Sequence, residues 1–256
     1  MKSLSCLMIL FFLIGNMSWA TDLMAIPEGR LEAFWLSPMS VKNKNESNSN
    51  KVFISIKSFK MMSKAVTVNQ FKKFLSTHKT WEKSQASPLF TDANYLSNFD
   101  KSSDNSPVTN VSWFAARAYC QAQEMRLPTL NEWEYVAAAS EKEKDANKDE
   151  KFLKRILEWY GEPQNDKLKD VGSIYKNLYG VYDMHGLIWE WVDDFNTTFV
   201  TGESREDSSF NRDMFCGAGA LASNDKENYA AFMRFAFRSS LKGKSSIWNL
   251  GFRCAK

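Results

Sequence analysis

Histidine is scarce in this chain. His78 and His185 are the only two among 256 residues, so any centre that needs three imidazoles is excluded. The sequence also lacks a Cys-x-x-Cys pair, a Gly-x-Gly-x-x-Gly turn and a phosphate-binding loop. No Gly-x-Ser-x-Gly elbow supports a serine nucleophile. Neither sign of charge is in excess: 33 basic and 30 acidic residues leave +3, which gives no special attraction to nucleic acid or to an anionic membrane. No internal repeat stands out, and no linker interrupts residues 52–256.

What is present begins with an export pattern. In MKSLSCLMILFFLIGNMSWA, Lys2 supplies the charged region, Leu7 to Ile14 the apolar run, and Ser18-Trp19-Ala20 a cleavage site. The run is too short for a permanent membrane span, so an exported chain cut near Ala20 is expected, periplasmic or extracellular, with no permanent membrane insertion. Removing residues 1–20 leaves Cys120, Cys216 and Cys254. In an oxidising compartment two of the three are expected to pair, and spacing alone does not select which.

Residues 21–51 read as an N-terminal segment ending in a polar loop, VKNKNESNSNK, ahead of one domain over 52–256. Within it, Ile54 to Lys57 alternates as a half-buried strand does. Thr67-Val68-Asn69-Gln70 and Thr129-Leu130-Asn131-Glu132 have capping-box spacing, and Ser112 can cap a helix that aligns Trp113, Ala116 and Cys120. Residues 141–155 form a mixed charge run that reads as a solvated surface segment. Helices in the first half and short broken apolar runs after Val171 predict an α+β fold.

The densest stretch is NLYGVYDMHGLIWEWVDDF (177–195). Asp183 and Glu190, with the carbonyls of Gly186 and Ile188, could present hard oxygen ligands to calcium while Trp189 and Trp191 point into the core. The alternative is that both carboxylates cap turns and pair with arginines. On the residues alone this second reading is favoured, because short acidic loops are common.

Three ordered motifs then carry a resemblance. PVTNVSWFAARAYCQAQEMRLPTLNEWEYVAAAS (107–140), the stretch just quoted, and RFAFRSSLKGKSSIWNLGFRCAK (234–256) resemble, in matching order, motifs of the formylglycine-generating enzyme, or sulfatase-modifying factor, family. The resemblance spans about 52–256 and is weak over 141–176 and 196–227. It implies the irregular, C-type-lectin-like α+β fold of that family and a Cys120–Cys254 disulfide. It also implies one structural calcium ion at Asp183, Gly186, Ile188 and Glu190.

The departures bear on function. Active family members hold copper(I) between two nearby thiolates, soft ligands that leave the metal open to oxygen and to a substrate thiol. Here Cys216 precedes the corresponding positions, and no cysteine lies between it and Cys254. With Cys120 and Cys254 bridged, copper is not expected, and Cys216 is left as a candidate lone thiol, more in keeping with a small buried residue than a reactive one. The iron centre of ergothioneine-type relatives needs histidines that this chain lacks. Leu187 stands where the family has asparagine. The resemblance therefore implies maturation or oxidative modification of a protein, peptide or siderophore substrate without the copper pair. The competing implication is a non-catalytic module that binds a partner or small ligand on the same scaffold.

Overall fold

The computed structural model describes residues 22–32, 52–162, 167–196 and 226–256. The export segment, the polar loop at 41–51 and Cys216 lie outside these residues.

Four strands form the first layer: β1 (Leu23–Ile26), β2 (Gly29–Glu32), β3 (Phe53–Ile56) and β4 (Phe59–Met62). β1 pairs antiparallel with β4 and β2 with β3, in one register that runs unbroken from Leu23↔Met62 to Glu32↔Phe53. The four are thus two arms of a single bent ribbon, each broken once, at Pro27-Glu28 and Lys57-Ser58. Proline cannot donate to a ladder, which accounts for a break there. Residues 22–32, expected to precede the domain, are part of this ribbon.

The other edge of β4 takes the C-terminus. Lys60 and Lys256 exchange backbone hydrogen bonds of 2.7 and 2.8 Å, and Met62 N–H donates to the Cys254 carbonyl. Arg126 and Ala255 exchange a second pair, so residues 254–256 lie between β4 and the start of the Leu127 segment.

Helices α1 (Val68–Thr77), α2 (Trp113–Ala122) and α3 (Leu130–Ala137) begin at the expected caps. Thr67 and Thr129 each accept a hydrogen bond from the backbone three residues on while Gln70 and Glu132 reach back. Each such cap is worth about 1 kcal/mol. α1 and α2 meet through Phe71, Phe74 and Tyr119, and Phe252 closes the cluster edge-on to Tyr119 at 5.3 Å. Cys120, on the same helix, is bonded to Cys254 across 134 residues. A bridge closing so long a loop contributes up to about 4–5 kcal/mol in the chain-entropy account.

α4 (Glu150–Gly161) starts inside the charge run expected to be solvated. Asp149 caps it, and Phe152, Leu153 and Ile156 recur on one buried face. The run is therefore a helix entry whose apolar stripe starts at its end, where the charges had masked it. β5 (Trp189–Glu190) pairs parallel with β6 (Leu250–Gly251), and α5 (Lys226–Ser239) packs against α4. Among the described residues, no helix is long and apolar enough to cross a membrane.

Candidate functional site

β5 and β6 hold the 183–190 loop from one side. Trp189 N–H donates to the Asn249 carbonyl and Trp191 N–H to Gly251, at 2.8 and 2.9 Å. From the other side, Asp183 sits in the left-handed region at φ 57° and is fully buried; its carboxylate accepts the backbone N–H of Gly172 and of Ile174. Gly186 is required at the bend: its φ is 96°, and a Cβ there would come within 2.7 Å of Ile174 Cγ2.

Glu190 points inward. Arg253 Nε and Nη2 each donate to one of its oxygens at 2.8 Å, and the Trp133 indole donates to Oε2 at 2.8 Å. Arg253 has no exposed surface, and its other N–H groups reach the carbonyls of Met62, Ser63 and Tyr182. All five guanidinium hydrogens thus have an acceptor, the condition under which a buried ion pair is tolerated.

These contacts bear on the calcium expectation. Every oxygen of Asp183 and Glu190 already accepts a hydrogen bond, and the cation facing Glu190 is a buried guanidinium. A dication at these four residues would have to share Glu190 with that charge in a medium of low dielectric. Asp183 and Glu190 thus already have partners within the protein, so calcium at Asp183, Gly186, Ile188 and Glu190 would have to bind beside them, on the remaining lone pairs of the carboxylates. Among the described residues, no group of three or more His, Cys, Asp or Glu could hold a metal ion. The competing expectation, turn-capping and arginine pairing, matches the geometry. The tryptophans divide: Trp191 is fully buried and donates to the Val111 carbonyl, whereas Trp189 is half-buried.

A second buried network lies alongside, and sequence reasoning missed it. Glu134 of α3 receives Arg234 Nε and Nη2 and Arg238 Nη1, all from α5, at 2.6 to 3.0 Å. Arg234 Nη1 also donates to the Tyr160 hydroxyl at 3.2 Å, and the Arg238 guanidinium lies over the Trp133 ring at 4.3 Å. Burial alone would raise the Glu134 pKa, but the two guanidiniums outweigh it and hold the carboxyl below its ordinary range. The available signal was Arg234 and Arg238 four residues apart, one turn of the same helix face.

His185 lies between these networks, buried edge-on against Trp133 and Phe152. Nε2 is 3.0 Å from the Ala137 carbonyl, which can only accept, so Nε2 carries the hydrogen. Burial, then the charge of Arg234, push its pKa down to about 3. A neutral imidazole with no open face is a packing residue, not a base.

The open feature beside the loop is a cleft of about 250 Å³. Trp159 and Tyr160 at the end of α4, Gly186, Leu187 and Trp189 from the loop, and Trp248 and Asn249 before β6 form its walls, and Glu162, Lys167 and Lys169 its rim. Trp189 is fixed within an aromatic run, 4.4 Å from Phe237, 5.1 Å from Tyr160 and 5.2 Å from Trp159. Leu187 is buried against Ala65 and Ile188, so apolar packing takes the place of the family's asparagine.

The family model for "Sulfatase-modifying factor enzyme 1-like domain" matches residues 18–256. A bovine (Bos taurus) protein named inactive C-alpha-formylglycine-generating enzyme 2 is 34% identical over 160 residues, 58% of this chain and 50% of its own length. The formylglycine-generating enzyme of Mus musculus is 31% identical over 182 residues, 59% of this chain and 44% of its own. The chain thus spans about half the length of the curated relatives it matches. Among solved structures, PvdO from Pseudomonas aeruginosa aligns over 91% of this chain and 93% of its own, with 13% identity and a TM-score of 0.47.

Proposed function

The chain belongs to the sulfatase-modifying factor enzyme 1-like family, and from that premise we propose that it is an exported member acting in the maturation or oxidative modification of a protein, peptide or siderophore substrate, without the two-cysteine copper mechanism. The observation that carries this reading is the Cys120–Cys254 disulfide. It consumes two of the three cysteines beyond the N-terminal segment and leaves only Cys216, too few for a pair of thiolates on copper(I). The disulfide also favours an oxidising compartment, in keeping with the export pattern. The cleft beside the 183–190 loop is where a substrate would meet this scaffold.

A second reading, a non-catalytic binding module, is favoured by the lining of the cleft. It offers tryptophans, a tyrosine, lysines, a glutamate and an asparagine, with neither histidine nor cysteine among its described walls. In both readings the chain binds without copper-thiolate chemistry; they differ in whether the bound molecule leaves changed.

The test is purification of the oxidised chain, followed by metal analysis and oxygen uptake with cysteine-containing peptides and added copper(I). The expected result is no stoichiometric copper and no peptide oxidation above the uncatalysed rate. One copper per chain with formylglycine appearing in the peptide would overturn the proposal. A mass change in a bound substrate without copper would favour the modifying reading over the binding module.

A further inference from the structure

The geometry points to the cleft between the end of α4, the 183–190 loop and Asn249 as a saccharide-binding site that takes one neutral pyranose ring. A sugar ring is an amphipathic disc: its faces are patches of C–H groups, and its edge is a belt of hydroxyls that both donate and accept hydrogen bonds. A site for it needs flat apolar walls, polar groups of both kinds around them, and room for one ring.

The cleft has each of these. Its walls include Trp159, Trp189 and Trp248, all half-buried residues. Trp189 cannot turn away without breaking its stack on Phe237 at 4.4 Å and Tyr160 at 5.1 Å, which makes the wall rigid before any ligand arrives. Buried Leu187 keeps the base apolar. The rim is mixed: Glu162 accepts, Lys169 donates, and the Asn249 amide does both. Glu162 also stands at the carbonyl end of α4, so negative character there offsets most of the charge of Lys167 and Lys169. A rim of both signs suits a ligand with many hydroxyls and no net charge better than an anion or a cation. The volume, about 250 Å³, lies at or below the small end of ligand pockets. It has room for a single ring.

The sugar could be carried by a glycosylated substrate or be free, and the chemistry of recognition is the same. The inference concerns only what the cleft binds. It is read by binding, whereas the copper proposal is read by metal content and peptide oxidation, so either can fail alone.

The test is titration of the full chain, followed by tryptophan fluorescence and calorimetry. The probes are methyl glucoside, N-acetylglucosamine, cellotriose and chitotriose, with N-acetyltyrosinamide as a neutral aromatic control and glucuronate as a charged one. At least one neutral saccharide is expected to saturate a single site, with glucuronate and N-acetyltyrosinamide about tenfold weaker or worse. Trp248→Ala should weaken that binding at least about tenfold, and Lys169→Ala, on an exposed side chain that leaves the fold intact, by a few-fold. A peptide bearing the preferred sugar that binds more tightly than the free sugar assigns the ligand to a glycosylated substrate; equal affinities assign it to a free saccharide. The inference is overturned if no saccharide saturates by about 10 mM. It is also overturned if N-acetyltyrosinamide binds more tightly than every saccharide, or if Lys169→Ala and Trp248→Ala, both folded, bind as the parent does.

Discussion

His185 shows how one buried side chain ties stability to pH. In the fold its imidazole stays neutral down to about pH 3, whereas in the unfolded chain it takes a proton near its ordinary 6.5. Between those values the unfolded state holds the extra proton, so this contribution is complete above pH 6.5 and shrinks as pH falls. The slope is about 1.4 kcal/mol per pH unit for one proton. Urea unfolding between pH 6 and pH 4 should show that loss, and His185→Gln, which can keep a hydrogen bond to Ala137 but cannot titrate, should flatten it. An unchanged slope in the variant would mean that the imidazole is not neutral in the fold. Glu134 acts in the same direction at lower pH, since its contribution is lost as pH falls through its depressed pKa. In the sequence His185 stands out only as one of two histidines. Its burial comes from Trp133 and Phe152, which lie more than thirty residues upstream, and no local pattern reports such a contact.

At the scale of elements, what was legible was local. Thr67, Ser112 and Thr129 cap helices because a side chain and a backbone amide three residues on are joined by short covalent geometry. What was hidden was non-local. The pairing of β1 and β2 with β4 and β3 depends on residues about thirty positions apart, so 22–32 read as a leader to the domain. The 183–190 loop is the sharpest case: the composition of a cation site was visible, but the arginine that occupies Glu190 arrives from sixty-three residues away. If that pairing holds the loop, thermal melts with a chelator and with millimolar calcium should share one midpoint within about 1 °C, well under the shift that about 1 kcal/mol would produce. A rise of several degrees with calcium would show that an ion does enter this loop and displaces or shares the guanidinium.

Across the whole molecule, a disulfide joins α2 to the C-terminal segment, and the proposed function rests on it. Cys120 on α2 and Cys254 beside β4 bring helix and C-terminal segment together, next to Phe252 and Tyr119. The family fold was readable in the sequence because its three motifs build this centre: the capped helices, the Trp-Glu-Trp loop and the closing strand. The cleft was not readable, because its walls come from α4, the loop and the segment before β6, and α4 falls where the resemblance is weakest. The central claim is that this bond leaves a single thiol, and hence no two-thiolate copper site. Alkylation of the unreduced exported chain, followed by peptide mapping, tests it most directly. The account predicts one linked peptide pair containing Cys120 and Cys254 and one alkylated residue, Cys216; an alkylated Cys120, or Cys216 found in a bridge, would contradict it.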